Sequence, residues 1–308
     1  MAIAVPKQKR SEPANERPVI AGISISNATR VLDPTGKTKL ELARWYETIA
    51  ERMLPHVAQR PLTLVRWAEG RSTEKGGVYL RHAKAWGPKA LRRVKIQEKT
   101  KVGEYLVAED VSGLVALAQM DILEIHTWSS KIDDVEHPDR LVFDIDPSSE
   151  LPWSAIADAA CTMREKLSAL GLESFVKTTG GKGLHVVVPL EPHDDWEACF
   201  LFTRAFALLL ERSEPKRFVA SVAKARRTGK IYVDYLRNNR GNTSVAAYST
   251  RARPGAPISL PIAWEDIARD PRVRPVTIAH SRVARGPDPW GDWQSVRQRL
   301  PRISAHAR

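Results

Sequence analysis

Between residues 141 and 147 the chain places two aspartates two positions apart in an otherwise apolar run, Leu141-Val142-Phe143-Asp144-Ile145-Asp146-Pro147. Alternation of this kind predicts a β-strand, with Leu141, Phe143 and Ile145 on one face and Asp144 and Asp146 on the other. Pro147, which lacks an amide hydrogen, is expected to end the ladder. Two carboxylates held so close raise each other's proton affinity, and a divalent cation between them relieves the repulsion. From this segment alone, a solvated strand edge explains the aspartates as well as a metal pair does.

Two later segments bear on that choice. In Thr178-Thr179-Gly180-Gly181-Lys182-Gly183-Leu184-His185 a turn rich in hydroxyls and glycines links two β-branched runs. Glycines let backbone amides approach an anion, Thr179 adds a hydroxyl and Lys182 a charge, although a hairpin turn that is simply basic fits the same residues. It is not a Walker A loop, because a strand-like valine run follows instead of a helix. The segment Thr228-Gly229-Lys230-Ile231-Tyr232-Val233-Asp234-Tyr235 predicts another strand, with Asp234 on its polar face. Three aspartates, His185 and the Gly/Lys turn together suit hard divalent cations carrying a polyphosphate, as in two-metal nucleotidyl transfer.

Charge points to the partner. The 308 residues carry 48 Lys and Arg against 36 Asp and Glu, a net charge of +12, which suits a nucleic acid. No run approaches the ~18 apolar residues of a spanning helix, and the first ten residues lack a secretory core, so a cytoplasmic protein without a membrane partner is expected. Cys161 and Cys199 have no metal-ligand spacing and read as reduced core residues. Residues 1–19 have the composition of a flexible tail, and residues 20–308 that of a single domain.

Apolar periodicity predicts helices over 39–57 (with Pro55 breaking the pattern near its end), 112–120 capped by Ser112, 153–170, 196–210, 264–268 and, as a closing amphipathic helix, 290–300. Strands are expected over 62–68, 105–107, 122–128 and 244–248. In the strand at 122–128, Glu124 and His126 share a face. Across 141–235 the order is β-α-β-β-α-β, a ferredoxin-like or RNA-recognition-like unit.

Phe143-Asp144-Ile145-Asp146-Pro147, Thr179-Gly180-Gly181-Lys182-Gly183-Leu184-His185 and Tyr232-Val233-Asp234-Tyr235, in that order, resemble the three motifs of the primase-polymerase domain of bacterial ATP-dependent ligase D. That domain belongs to the archaeo-eukaryotic primase superfamily, and the resemblance runs from about residue 23 to about 290. It implies an α/β (α+β) fold with an antiparallel catalytic sheet flanked by helices. A DNA-end-binding part would span about 20–120, a catalytic core 121–252 and a closing segment 253–308.

The resemblance also implies roles. Asp144 and Asp146 would bridge two Mn²⁺ or Mg²⁺ ions, and Asp234 would complete the ion at a primer hydroxyl. Thr179, Lys182, His185, Arg227 and Arg251 would hold an incoming NTP or dNTP. His126 would contact the phosphates or support the aspartates. Arg30 and Lys39 would grip the 5′-phosphate of a downstream strand. Where the family has two adjacent aromatics that stack on the template, this chain has Val78 and Tyr79. Arg237 stands where some relatives have glutamine, and its role is open. The expected partners are DNA with 5′-phosphorylated gaps or broken ends, Ku, and an ATP-dependent ligase domain or protein. The expected activity is template-dependent gap filling and end extension in non-homologous end joining. The rival readings are a non-catalytic DNA-end-binding module and a metal-dependent nuclease.

Overall fold

The computed structural model describes residues 17–33, 35–66, 77–83, 87–269, 276–278 and 281–301. The expectations for most of the N-terminal tail, for the last two residues of the strand at 62–68 and for the chain past 301 lie outside these residues. A two-stranded ribbon, β1 (Val19–Ile20) with β2 (Ile23–Ser24), precedes helix α1 (Lys39–Val57). α1 begins at a capping box between Thr38 and Glu41, and it buries Leu42, Tyr46, Ile49 and Met53 at helical spacing. Pro55 sits inside its last turn, two residues before its end.

Strands β3 (Leu62–Arg66), β4 (Val78–Leu80), β5 (Arg92–Gln97) and β6 (Val102–Val107) lead to α2 (Val111–Gln119) and β7 (Ile122–Thr127). The cap of α2 is Asp110 and not Ser112. The Asp110 carboxylate accepts from the Gly113 amide at 2.8 Å and from the Ser112 hydroxyl at 2.6 Å, and at a helix N-terminus it brings charge that a hydroxyl lacks. Next come β8 (Arg140–Pro147), α3 (Trp153–Ala169), β9 (Phe175–Thr178), β10 (Leu184–Pro189), α4 (Trp196–Ser213), β11 (Phe218–Val219) and β12 (Ile231–Asp234). β13 (Ser244–Val245), β14 (Pro261–Ile262) and α5 (Trp264–Arg269) complete the regular elements. No described helix is long and apolar enough to cross a membrane.

The strands form two larger sheets. One runs β11-β12-β8-β10-β9-β14, and the other β13-β7-β3-β6-β5 with β4 on β3. Within the first, β12-β8-β10-β9 are antiparallel neighbours in the order fourth, first, third, second, the ferredoxin-like arrangement of a β-α-β-β-α-β unit. β7 and β13 belong to the second sheet, so the seam between sheets follows neither residue 121 nor residue 252. β13 stops after two residues, short of the expected 248. The chain turns sharply there, and Tyr248 takes a left-handed φ of 65°.

Burial follows the alternation of β8. Leu141, Phe143 and Ile145 pack with Ile156 and Met163 of α3 and Phe206 of α4. On the opposite face Val142, Val187 and Phe175 join the core built on α1, α2 and the second sheet. Asp144 and Asp146 share the face of Val142, so they lie toward the seam between the sheets.

The closing helix is absent. Residues 290–300 contain one 3₁₀ turn, Gly291–Ser295, and Trp290 and Trp293 stack with centroids 5.1 Å apart and planes at 12°. Residues three apart eclipse in a 3₁₀ turn, which brings the two indoles face to face. Both meet the ring of His56 edge-on, and the Trp290 indole donates to the Val176 carbonyl at 3.0 Å.

A buried guanidinium joins the segment after α1 to the start of β8. The Arg60 guanidinium, 1% exposed, donates in fork geometry to both oxygens of Asp139, and Arg140 lies 3.3 Å from the same carboxylate. Burial pushes the Asp139 carboxyl up, but Arg60 and Arg140 outweigh it and hold it at about 2. Asp139→Ala would strand two buried guanidinium groups and should cost about 3–5 kcal/mol at pH 7. Because the folded pKa lies below the unfolded one, this contribution is present above about pH 4 and fades as pH falls toward 2. Urea unfolding of both proteins at pH 7 and pH 2.5 checks it, and an undiminished difference at pH 2.5 would contradict the account.

Candidate functional site

The pairing register lines up side chains from four strands. Asp234 of β12 lies opposite Asp144 of β8, Asp144 opposite His185 of β10, and His185 opposite Lys177 of β9. Directly opposed residues share a face, so two carboxylates, an imidazole and an ammonium form one row across the sheet. Asp146 sits beside the row, opposite Tyr232.

The turn after β9 folds over this row. Gly183 precedes β10 where no side chain fits: a Cβ there would lie 2.2 Å from the Ile145 carbonyl oxygen. Gly180 supplies the left-handed residue at φ 66°. The Thr179 hydroxyl donates to the Gly183 carbonyl at 3.1 Å and accepts from the Gly181 amide at 3.2 Å, so it braces the turn from within. Arg251 pins the turn from outside by donating to the Thr179 carbonyl.

A cleft of about 440 Å³ opens over the row, lined among others by His126, Asp144, Asp146, Thr179, Lys182, His185 and Arg251. Seven of the residues expected from sequence thus meet there. Asp234 joins through Asp144, while Arg227 stands beside Asp146 at 3.6 Å with its guanidinium 3.6 Å over the Tyr232 ring. Tyr79 is exposed, and its ring centroid lies 6.3 Å from that of His126.

Three contributors were not assigned from sequence. Arg237 reaches from the 3₁₀ turn after β12 to Asp144 at 3.2 Å and Asp234 at 3.5 Å. Arg253 lines the cleft, two residues beyond Arg251. Glu124, buried on β7, contacts both His126 and Arg251. Its shared face with His126 was the one signal available.

Burial alone would raise the Asp144 carboxyl, but His185 and Arg237 reverse this and hold it far below its usual value. Burial raises Asp146, with Asp144 adding to it. Burial also raises Asp234, with Arg237 opposing and Asp144 adding. Burial, with Lys177 nearby, brings the His185 imidazole down to about 4, so it is neutral at pH 7. Among the described residues no group of three or more His, Cys, Asp or Glu is already arranged to hold a metal ion. The donors are nevertheless hard oxygens, two of them carry raised proton affinity, and Arg237 meets part of the demand for positive charge. That chemistry suits Mg²⁺ or Mn²⁺.

Arg30 and Lys39 lie in another cleft, of about 360 Å³, which Arg66 also lines. All three surround the buried Asp121 carboxylate, at 3.0 Å, 2.8 Å and 3.5 Å respectively. The first amides of α1 are occupied: Lys39 donates to Arg30, Leu40 to Ala28, and Glu41 to the Thr38 hydroxyl. The cations, and not a free helix end, are what this cleft offers an anion.

Residues 38–290 match the family described as LigD, primase-polymerase domain. The chain is 36% identical over 300 residues to the multifunctional non-homologous end joining protein LigD of Pseudomonas aeruginosa, covering 95% of this chain and 35% of that protein. It is 33% identical over 255 residues to the protein of the same description from Mycolicibacterium smegmatis, covering 82% and 33%. The chain therefore spans about a third of the length of these curated relatives. Among solved structures, the polymerase domain of Mycobacterium tuberculosis ligase D in complex with DNA aligns with TM-score 0.81 at 29% identity, covering 87% of this chain and 96% of that one.

The raised Asp234 carboxyl carries a sign for stability. A folded pKa above the unfolded one contributes stability at low pH that is lost as pH rises through the folded value, so at neutral pH the ionised group is a liability. Asp234→Asn keeps an oxygen for the Leu236 amide, which Asp234 now bonds at 2.8 Å, and removes the charge. The variant should melt higher than wild type at pH 7.5, with the gain shrinking toward pH 4. A lower melting temperature at pH 7.5 would mean that the contact with Arg237 outweighs the repulsion.

Proposed function

Because this chain belongs to the LigD primase-polymerase domain family, we propose that it is a metal-dependent, template-directed nucleotidyltransferase acting in bacterial non-homologous end joining. It would fill gaps and extend broken ends with ribo- or deoxyribonucleotides. The observation that carries this reading is the row of Asp234, Asp144 and His185 beneath a basic glycine turn. A module that only bound DNA ends would have no use for carboxylates held against their mutual repulsion.

Asp144 and Asp146 would hold two Mn²⁺ or Mg²⁺ ions, and Asp234 the one at the primer 3′-hydroxyl. Bound there, such ions supply charge neutralisation to a triphosphate and acidify the attacking hydroxyl. Lys182, Arg227 and Arg251 bring cations to the incoming NTP or dNTP, with forked guanidinium groups matched to phosphate oxygens. Thr179 shapes the turn that carries Lys182. His185, neutral at pH 7, orients Asp144 from 3.4 Å without adding charge. Tyr79, exposed and with its ring centroid 6.3 Å from that of His126, offers a stacking surface to a template base. No bulky aromatic stands in the turn from Thr179 to His185 to reject a 2′-hydroxyl. Ku and an ATP-dependent ligase are its proposed partners, a reading supported by the non-homologous end joining in the relatives' description.

The test is a 5′-labelled primer-template with Mn²⁺ and nucleotides. Longer products support the polymerase, shorter ones a nuclease, and unchanged primer a binding module. Asp144→Ala, Asp146→Ala and Asp234→Ala should each abolish extension and leave DNA affinity within a few-fold, since they remove carboxylates and not phosphate-binding cations.

Arg30, Lys39 and Arg66 gather around Asp121 in one cleft, and such a set of cations suits a terminal phosphate. Gapped DNA bearing a 5′-phosphate should bind about tenfold tighter than the same gap with a 5′-hydroxyl, because charge-assisted contacts contribute roughly 1.5–3 kcal/mol each before screening. Arg30→Ala should narrow that ratio. Equal wild-type affinities for the two ends would sink the assignment of Arg30 and Lys39.

A further inference from the structure

Glu124 is a buried carboxylate that sits against the cleft's own basic groups and not among the aspartates of the row. It lies on β7 of the second sheet, 5% exposed, behind His126 and Arg251, which line the cleft. Each of its oxygens is engaged. Oε2 lies 2.8 Å from His126 Nε2, and Oε1 accepts from the Ala252 amide at 2.8 Å and lies 3.0 Å from Arg251 Nε. His126 and Arg251 both line the cleft, and Arg251 extends from Glu124 across the seam to the Thr179 carbonyl in the glycine turn of the first sheet. One side chain therefore fixes two cleft groups and, through Arg251, the placement of the turn over Asp144.

We propose that Glu124 is a positioning residue that aligns the Arg251 guanidinium for the triphosphate and fixes the His126 ring beside it, an assignment that rests on the nucleotide-binding reading above. The arrangement has a chemical consequence. An ionised carboxylate only accepts, so His126 Nε2 carries its proton and Nδ1 is left as the acceptor of the neutral ring. Arg251 is held between two anchors, the Glu124 carboxylate 3.0 Å from Nε as an ion pair and the turn carbonyl that accepts from Nη1, and together they place the guanidinium. The negative charge sits on the far side of these two groups, where it orders them before a ligand arrives and leaves less entropy to lose on binding.

The experiment uses Glu124→Gln, Arg251→Ala and the double variant. Gln keeps the size and an oxygen for the Ala252 amide but loses the charge, so a melting temperature within a few degrees of wild type is expected. The readouts are nucleotide KM and kcat in primer extension, calorimetric binding of a non-hydrolysable triphosphate, and the His126 tautomer by ¹⁵N NMR. Glu124→Gln should raise KM and the triphosphate Kd about tenfold with kcat within about twofold, and shift His126 away from a pure Nε2-H form. In the Arg251→Ala background the same change should add less than about twofold, because partners in one network are not additive. Unchanged KM and Kd with only a lower melting temperature, or full additivity with Arg251→Ala, would overturn the assignment alone. Failure of the wild type to bind the triphosphate would overturn it together with the reading of the cleft.

Discussion

Everything in the cleft depends on the register of β8 against its two neighbours. β8 is central, with β12 on one side and β10 on the other, and each pairing places an acid or a base opposite Asp144. A slip of one residue would turn Phe143 and Ile145 out of their core and Asp144 into it, so the apolar face and the polar row fix the same alignment. Gly183 adds a steric lock. With the Ile145 carbonyl so close, any side chain at 183 would prise β10 from β8 at the point where the turn bends over the carboxylates. The hydrophobic core thus does the positioning, and the polar row occupies the opposite face of the same strands.

The cost appears as charge. Asp146 and Asp234 are held at raised proton affinity, and Lys177, 3% exposed with its ammonium 2.6 Å from the Ser259 hydroxyl, is pushed well down by burial and by Arg251. Such groups are destabilising in a resting protein. They are offset locally by Arg237, which reaches two of the carboxylates, and remotely by pairs such as Arg60 with Asp139. Strain concentrated at one cleft and repaid elsewhere is how functional sites generally differ from the rest of a fold.

Period-two alternation carried most of what the sequence disclosed. It identified β8, β10 and β12, assigned their acidic and apolar faces, and with the helical runs of α3 and α4 gave the ferredoxin-like order. The motif resemblance then named residues that the structure brings to one cleft. What stayed hidden depends on partners distant in the chain. Glu124 is an ordinary strand carboxylate until Arg251, 127 positions later, folds against it. Nothing local to Lys39 and Arg30 reveals Asp121 beneath them. The helix expected over 290–300 failed for a related reason: its periodicity came from Trp290 and Trp293, whose burial against His56 and Phe175 a single 3₁₀ turn already satisfies.

That tryptophan pair makes the molecule optically legible. Two indoles 5.1 Å apart and nearly parallel couple electronically, so the near-ultraviolet circular dichroism should contain a signal from this one place. The pair touches α1 through His56 and β9 through Phe175, and neither indole lines the cleft over Asp144. Burial keeps the His56 ring uncharged well below pH 6.5, so its ionisation does not disturb the indoles near neutrality. The signal therefore follows the joining of the two sheets, and it offers a spectroscopic zero against which events in the cleft can be read.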